Sequence, residues 1–203
     1  MPRRVLAGRG RAFCAGHDLR ETSDVPLLER LERLQDVTRR LRALPIPVIA
    51  TVHGHAIGAG AEFALGCDLV IAESGATFRF PEVGLGLSVT GGATKLLPLL
   101  SGPMRAKEIV LFGEPFDGAD AAAWGLVNRV VPPGEALDAA LAWGARLAEL
   151  PRAAVALAKS ALDAGIDAAF ASALDTEVAH AVATDGAARD GAAALRASRA
   201  RHS

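Results

Sequence analysis

Leu27, Leu28, Leu31, Leu34, Val37, Leu41 and Leu44 recur at mostly three- and four-residue steps, with glutamates and arginines between them. That spacing predicts an amphipathic helix, ended by Pro45-Ile46-Pro47. The pattern then changes: PVIATV, from Pro47 to Val52, reads as a buried strand entering a glycine-rich turn. Ala59 to Leu65 carries helix formers after that turn, which puts Glu62 in the first turns of a helix. Leu69 to Ala72 reads as another buried strand and Thr77 to Phe80 as a short one. Gly91-Gly92 opens a helix through Leu100, with breaks expected near Pro98 and at Ser101-Gly102. Pro103 starts the next helix, through Phe112. Asp120 to Trp124 is a short helix capped by Gly125, and Leu126 to Val131 a short strand.

From Gly134 onward the chain is Ala-rich and helical, without strand signal, down to a tail bearing Arg196, Arg199 and Arg201. A soft boundary near 133–135 therefore divides a core at 1–133 from a helical region at 134–203. Alternating strands and helices followed by helices give an α/β class. No fixed-period repeat is visible.

Composition narrows the picture. A chain of 203 residues, 51% apolar and 22% charged, is a globular protein with room for one proper core. Lys and Arg number 22 against 23 Asp and Glu, and no basic, aromatic-interleaved stretch occurs, so neither nucleic acid nor an anionic membrane is an expected partner. The apolar weight lies in Ala, Val and Leu, and Tyr is absent, which suits close-packed helices and surfaces covered by another subunit. Cys14 and Cys67 make no disulfide framework and lack the companions of a zinc site. With no signal-peptide core and no apolar run of roughly 18 residues, the expected location is the cytoplasm.

Against that background two carboxylates stand out. Glu62 lies in VHGHAIGAGAEFALG, which holds no other formal charge, and Glu82 in FRFPEVGLG. An ion in such surroundings is costly unless it is hydrogen-bonded or exchanges its proton, so a glutamate pair there suits acid/base chemistry. Each, taken alone, also fits a buried glutamate bonded to backbone amides. Other motifs are weaker. Gly8-Arg9-Gly10 with Gly16 lacks the spacing of a dinucleotide fingerprint. His53 and His55 lack a third metal ligand at a supporting spacing. Cys14 reads as a buried structural thiol, Ser88 and Ser101 lack a nucleophile elbow, and Asp68 suits a cap or turn. The arginines between Arg30 and Leu44 read as a solvated face.

Three segments together resemble the crotonase family, the enoyl-CoA hydratase/isomerase superfamily. They are GRAFCAGHDLRE (10–21), PVIATVHGHAIGAGAEFALGCDLVIA (47–72) and FRFPEVGLGLSVTGGATKLLP (78–98), followed by GEPFDGADAAAWGLVNRVV. The resemblance implies a spiral of strand–strand–helix turns, C-terminal helices that build a homotrimer or hexamer, and an acyl-CoA thioester as substrate. It implies no metal or redox cofactor, coenzyme A being part of the substrate. Two backbone N–H groups, those of His17 and Ala59, would form an oxyanion hole for the thioester oxygen. Glu62 matches the carboxylate that activates water for attack at C3, and Glu82 the one that exchanges the C2 proton. Arg11, Ala15, Gly16, Leu19, Arg20 and Gly58 fall on positions that would line the substrate and CoA site, Arg11 and Arg20 near the CoA phosphates. The two glutamates favour enoyl-CoA hydratase. The alternatives are another crotonase-type CoA-thioester isomerase or lyase, or a truncated, inactive subunit.

The sequence departs from the family pattern in places. Alanine stands at position 59 where glycine is common, and SVTGGATKLLP replaces a proline-containing segment that shapes the acyl pocket. Asp190 and Leu195 replace Glu and Phe in the tail. Family members also carry a strand–turn–strand ahead of VLAGRGRAF, about where this chain begins. Its loss is expected to expose a sheet edge and reduce the CoA surface.

Overall fold

The computed structural model describes residues 4–18 and 24–186. Four strands form a parallel sheet: β1 (Arg4–Ala7), β2 (Val48–Val52), β4 (Leu69–Glu73) and β7 (Arg129–Val131), in the order β1-β2-β4-β7. Val5 lies beside Ile49, Ala50 beside Val70 and Ala72 beside Val130. A second sheet holds β3 (His55–Ile57), β5 (Thr77–Arg79) and β6 (Phe116–Asp117). β3 runs parallel to β5, and β6 antiparallel to it. The chain alternates between sheets, β2 to β3 and then β4 to β5, with helix α2 (Ala59–Leu65) between the two passes. That repetition is the expected α/β spiral.

The two faces of β2 explain why its sequence is an unbroken apolar run. All five of its residues are buried. Side chains alternate across a strand, so Val48, Ala50 and Val52 enter the main core while Ile49 points to the opposite face. There Ile49, Ile71 and Val131 meet Ala136 and Ala140 of α6 (Ala136–Glu149). Full burial of each large aliphatic contributes about 1.5–3 kcal/mol. In the main core Phe78 stacks on Phe116 at 5.6 Å, and Phe116 meets Trp124.

Helix α1 (Leu27–Ala43) matches the leucine pattern, yet it also buries Gln35 and Thr38. The long α7 (Arg152–Ala183) packs against α1 and against α3 (Ala93–Ser101), putting Phe170 and Leu174 into the main core. Arg42, expected on the solvated face, instead pairs with Asp163 and Asp167 of α7, both at 2.9 Å, and lies over the Phe170 ring. Its partners come from residues more than a hundred positions away, which helical periodicity does not encode.

Other boundaries shift for local reasons. α3 passes through Pro98 without breaking. The carbonyl that loses its partner there is that of Thr94, an exposed residue that water can serve. α4 (Pro103–Phe112) follows directly. α5 (Gly118–Ala123) starts earlier than expected because Asp117 caps it, accepting from the amides of Ala119 and Asp120 at 2.8 and 2.9 Å. β7 is shorter than its sequence signal because the Asn128 side chain accepts from the Val70 amide at 2.7 Å ahead of it. No described helix is long and apolar enough to cross a membrane. The C-terminal arginines lie outside the described residues, as do Asp190 and Leu195.

Candidate active site around Glu62 and Glu82

The site is built where β3 turns into α2. Gly58 makes that turn with φ +54° and donates its amide to Arg79 O of β5 at 2.9 Å. The first bond within the helix runs from Glu62 N to Gly58 O, which leaves the amides of Ala59, Gly60 and Ala61 as the open donors of the helix start. Glycine is required at 58 on two counts. Its φ lies in the left-handed region, and a Cβ there would stand 2.7 Å from Glu82 Oε1. The same contact brings Glu82, twenty-four residues further on, to the start of α2.

The first motif arrives on the other side of this turn. Phe13 and Cys14 donate to His53 O and His55 O, and Ile57 donates to Cys14 O. A Cβ at Gly16 would stand 2.7 Å from Ile57 O and 4.0 Å from Ala59 N, so the Ala15-Gly16-His17 turn lies directly against the turn that carries Ala59. The His17 and Ala59 amides thus belong to adjacent backbone segments. Ala15 and His17 are exposed and Ala59 is half-buried. Arg11 is exposed, with its carbonyl packed on Gly54. Leu19 and Arg20 lie outside the described residues. Cys14 is half-buried rather than buried, because it bridges to Ala56 at the edge of the second sheet. His53 Nε2 is engaged with Gly10 O at 3.1 Å.

Glu62 and Glu82 are both buried, with 2% and 8% of their surface exposed. Glu62 accepts two hydrogen bonds, from the Thr90 amide to Oε1 at 2.6 Å and from the Thr90 hydroxyl to Oε2 at 2.7 Å. Burial raises its pKa from 4.5 to about 7; the two Thr90 bonds pull it down, and the charge of Glu177 adds to the rise. Glu82 rises to about 8, through burial first and then the nearby charge of Glu62, with Arg79 acting weakly in the opposite sense. Its Oε2 is buried with no hydrogen-bond partner among the described residues. Both carboxyl groups are thus raised into the neutral range, chiefly by burial, so protons can be held and exchanged there near pH 7. Two carboxyl groups with raised proton affinity side by side suit acid/base chemistry.

Sequence reasoning missed Thr90 and Glu177. Thr90 lies in SVTGG, the segment singled out only as a departure from the family pattern, and it supplies both bonds to Glu62. Glu177 had a readable signal. Phe170, Leu174, Glu177 and Ala181 share one helical stripe, and all four are buried, so the glutamate breaks an otherwise apolar face.

The family model for enoyl-CoA hydratase/isomerase matches residues 4–193. A protein named a probable enoyl-CoA hydratase from Mycobacterium tuberculosis is 41% identical over 176 residues, which are 81% of this chain and 62% of that one. A probable mitochondrial enoyl-CoA hydratase 2 from Arabidopsis thaliana is 38% identical over 168 residues, 81% of this chain and 56% of that one. The chain thus spans about three fifths of the length of these curated relatives. The crystal structure of an enoyl-CoA hydratase from Mycobacterium avium subsp. paratuberculosis superposes with a TM-score of 0.87 at 32% identity, covering 94% of this chain and 79% of that one. With a family model matched from β1 to beyond the end of α7, the chain belongs to the enoyl-CoA hydratase/isomerase family.

Proposed function

We propose that the protein is an enoyl-CoA hydratase, adding water reversibly across the 2,3 double bond of a trans-2-enoyl-CoA to give the 3-hydroxyacyl-CoA. The observation that carries this reading is the pair of buried glutamates, both with raised proton affinity, of which Glu62 is bonded at both oxygens by Thr90 while Glu82 keeps an unbonded buried oxygen among the described residues. Glu62, ionised, takes a proton from water as the water oxygen bonds to C3. The π electrons move toward C2 and the thioester oxygen, and the His17 and Ala59 amides stabilise the enolate-like charge. Glu82, protonated, then delivers its proton to C2. The cycle closes when one proton passes from Glu62 back to Glu82, so the proton inventory balances without a metal or redox cofactor.

Gly58 supports the scheme by letting Glu82 reach the start of α2, where the open amides lie. Arg11, Ala15, Gly16 and Gly58, with Leu19 and Arg20, would line the path of the CoA thioester. Exposed Met104, Leu111 and Phe112 on α4 and Leu157 and Leu162 on α7 suit subunit contacts of the homotrimer or hexamer. The test is hydration of crotonyl-CoA by the wild type and by Glu62→Gln and Glu82→Gln, with product analysis. Loss of 3-hydroxybutyryl-CoA formation in both variants supports the pair. Full activity in either removes that residue, and a shifted double bond as the product makes the protein an isomerase.

A further inference from the structure

Among the described residues the buried carboxylates are Glu62, Glu82 and Glu177, and the scheme above uses only two. Glu177 is fully buried on α7. Its Oε2 accepts from the Gly92 amide at 2.9 Å and from Gln35 Nε2 of α1 at 3.4 Å. Its Oε1 accepts from the Thr94 amide at 2.9 Å and the Thr94 hydroxyl at 2.7 Å. Gly92 is the N-cap of α3 and has no side chain to cap it. A carboxylate from a distant helix fills that role. Phe170, two turns earlier on α7, presses its ring on the same glycine; a Cβ at Gly92, where φ is +83°, would come within 2.1 Å of the ring.

The clamped segment is the one that holds Glu62. Thr90 precedes Gly92 by two residues, and Ala93 N bonds back to Thr90 O at 3.0 Å. Gly91, between them, lies so close to Glu62 that a Cβ there would stand 2.9 Å from Glu62 Cβ. The chain of contacts is therefore continuous: α7, the α3 cap, the Thr90 turn, the Glu62 carboxylate.

We infer that Glu177 is a positioning residue for Glu62, clamping the Gly92–Thr94 turn so that Thr90 presents its amide and hydroxyl to the Glu62 carboxylate. The inference rests on the reading of Glu62 as the base. A residue that only capped α3 would affect stability and leave the proton affinity of Glu62 to simple electrostatics. The two accounts differ in sign. Losing the Glu177 charge alone makes Glu62 easier to ionise, whereas loosening Thr90 makes it harder, and the Thr90 bonds are the larger influence. The groups facing Glu62 are Glu82, Glu177 and Thr90, with the Thr38 hydroxyl of α1 close by. Those facing Glu177 are Gln35, Thr94 and, one turn along, His180.

The experiment compares Glu177→Gln, Thr90→Val and the double variant for kcat, KM and the pH profile of crotonyl-CoA hydration. Expected are a fall in kcat of about ten-fold or more in each single variant with KM nearly unchanged, an acid limb moved to higher pH, and a double variant no slower than the slower single. An acid limb moved to lower pH or left in place, or additive losses, would overturn the inference. Hydrogen exchange of the Thr90 amide and a ¹³C titration of the Glu62 carboxyl read the same clamp without turnover. If the wild type fails to hydrate crotonyl-CoA, the function proposed above fails while these two readouts still decide the clamp. Unchanged Thr90 exchange in Glu177→Gln refutes it. Should Glu177→Gln not fold, Thr94→Val removes one donor to the clamp, and an unchanged Thr90 exchange and Glu62 titration there are equally fatal.

Discussion

Two regions of this molecule bury charge in opposite ways. Beneath α7, Lys159 pairs with Asp68 and, at 3.0 Å, with Asp163, while Arg42 binds Asp163 and Asp167. Asp68 also accepts from the Val48 amide at 2.8 Å, so the cluster joins β2 to α7. It does more than the cap or turn its sequence position suggests. At the head of α2, Glu62 and Glu82 have no salt-bridged cation among the described residues; burial makes both harder to ionise, and the charge of Glu62 adds to the rise at Glu82. The contrast separates two uses of buried charge. Where opposite charges meet, Coulomb attraction and hydrogen bonds offset desolvation, and the result holds elements together. Where carboxyl groups are buried without a cation, desolvation first and like charge second hold protons close to neutral pH and make them available for chemistry. Glu177 lies between the two cases: it has no salt-bridged cation among the described residues, yet four donors satisfy it.

The contrast can be broken in stages. The largest effect should come from Glu62→Gln and Glu82→Gln, each expected to lower kcat by about 10²–10⁴-fold, the usual contribution of a general acid or base. The wild-type rate should follow a narrow bell, rising as Glu62 ionises near pH 7 and falling as Glu82 ionises near pH 8. A broad plateau from pH 5 to 9 would show that the pair does not set the rate. Lys159→Met addresses the other region. It takes the cation from Asp68, which keeps only the Val48 amide, while Asp163 keeps Arg42, and should cost about 1–3 kcal/mol of stability in denaturant melts. A neutral result would mean that the cluster is not a staple.

The third measurement joins the two regions through pH. Carboxylates whose folded pKa is raised bind more protons in the folded than in the unfolded chain between pH 4.5 and about 7 to 8. Their contribution to stability is fully present below pH 4.5 and is lost as pH rises through that window. Glu82→Gln should therefore be more stable than the wild type at pH 8, by up to about 4 kcal/mol, with the advantage vanishing near pH 4. Parallel stability curves for the two proteins would contradict the raised proton affinity. The smallest effect belongs to Arg33→Ala, which removes an exposed pair with Glu29 one helical turn away and should change stability by less than about 0.5 kcal/mol.

Much of this was legible in the chain. The leucine spacing gave α1 to within a residue, PVIATV gave β2, and the apolar, glycine-rich setting singled out Glu62 and Glu82. The missed elements are those with little local signal: the four-residue β1 ahead of Gly8, β3 hidden in a glycine-rich turn, and the two-residue β6. The missed site residues share a different reason. Thr90 reaches Glu62 across 28 positions and Glu177 reaches Gly92 across 85.

Periodicity decides which face of an element is buried, because burial needs only an average apolar environment. It does not decide what that face meets. The sequence alone determined the α/β succession, the helix that carries Glu62, and the presence of carboxylates where ionisation is costly. Only the tertiary structure decided that Glu82 meets the start of α2, that Thr90 bonds both oxygens of Glu62, and that Arg42 faces α7 instead of water. Proton affinity and ion pairing are sums over every group within a few ångströms, and those groups are assembled by the fold from distant parts of the chain.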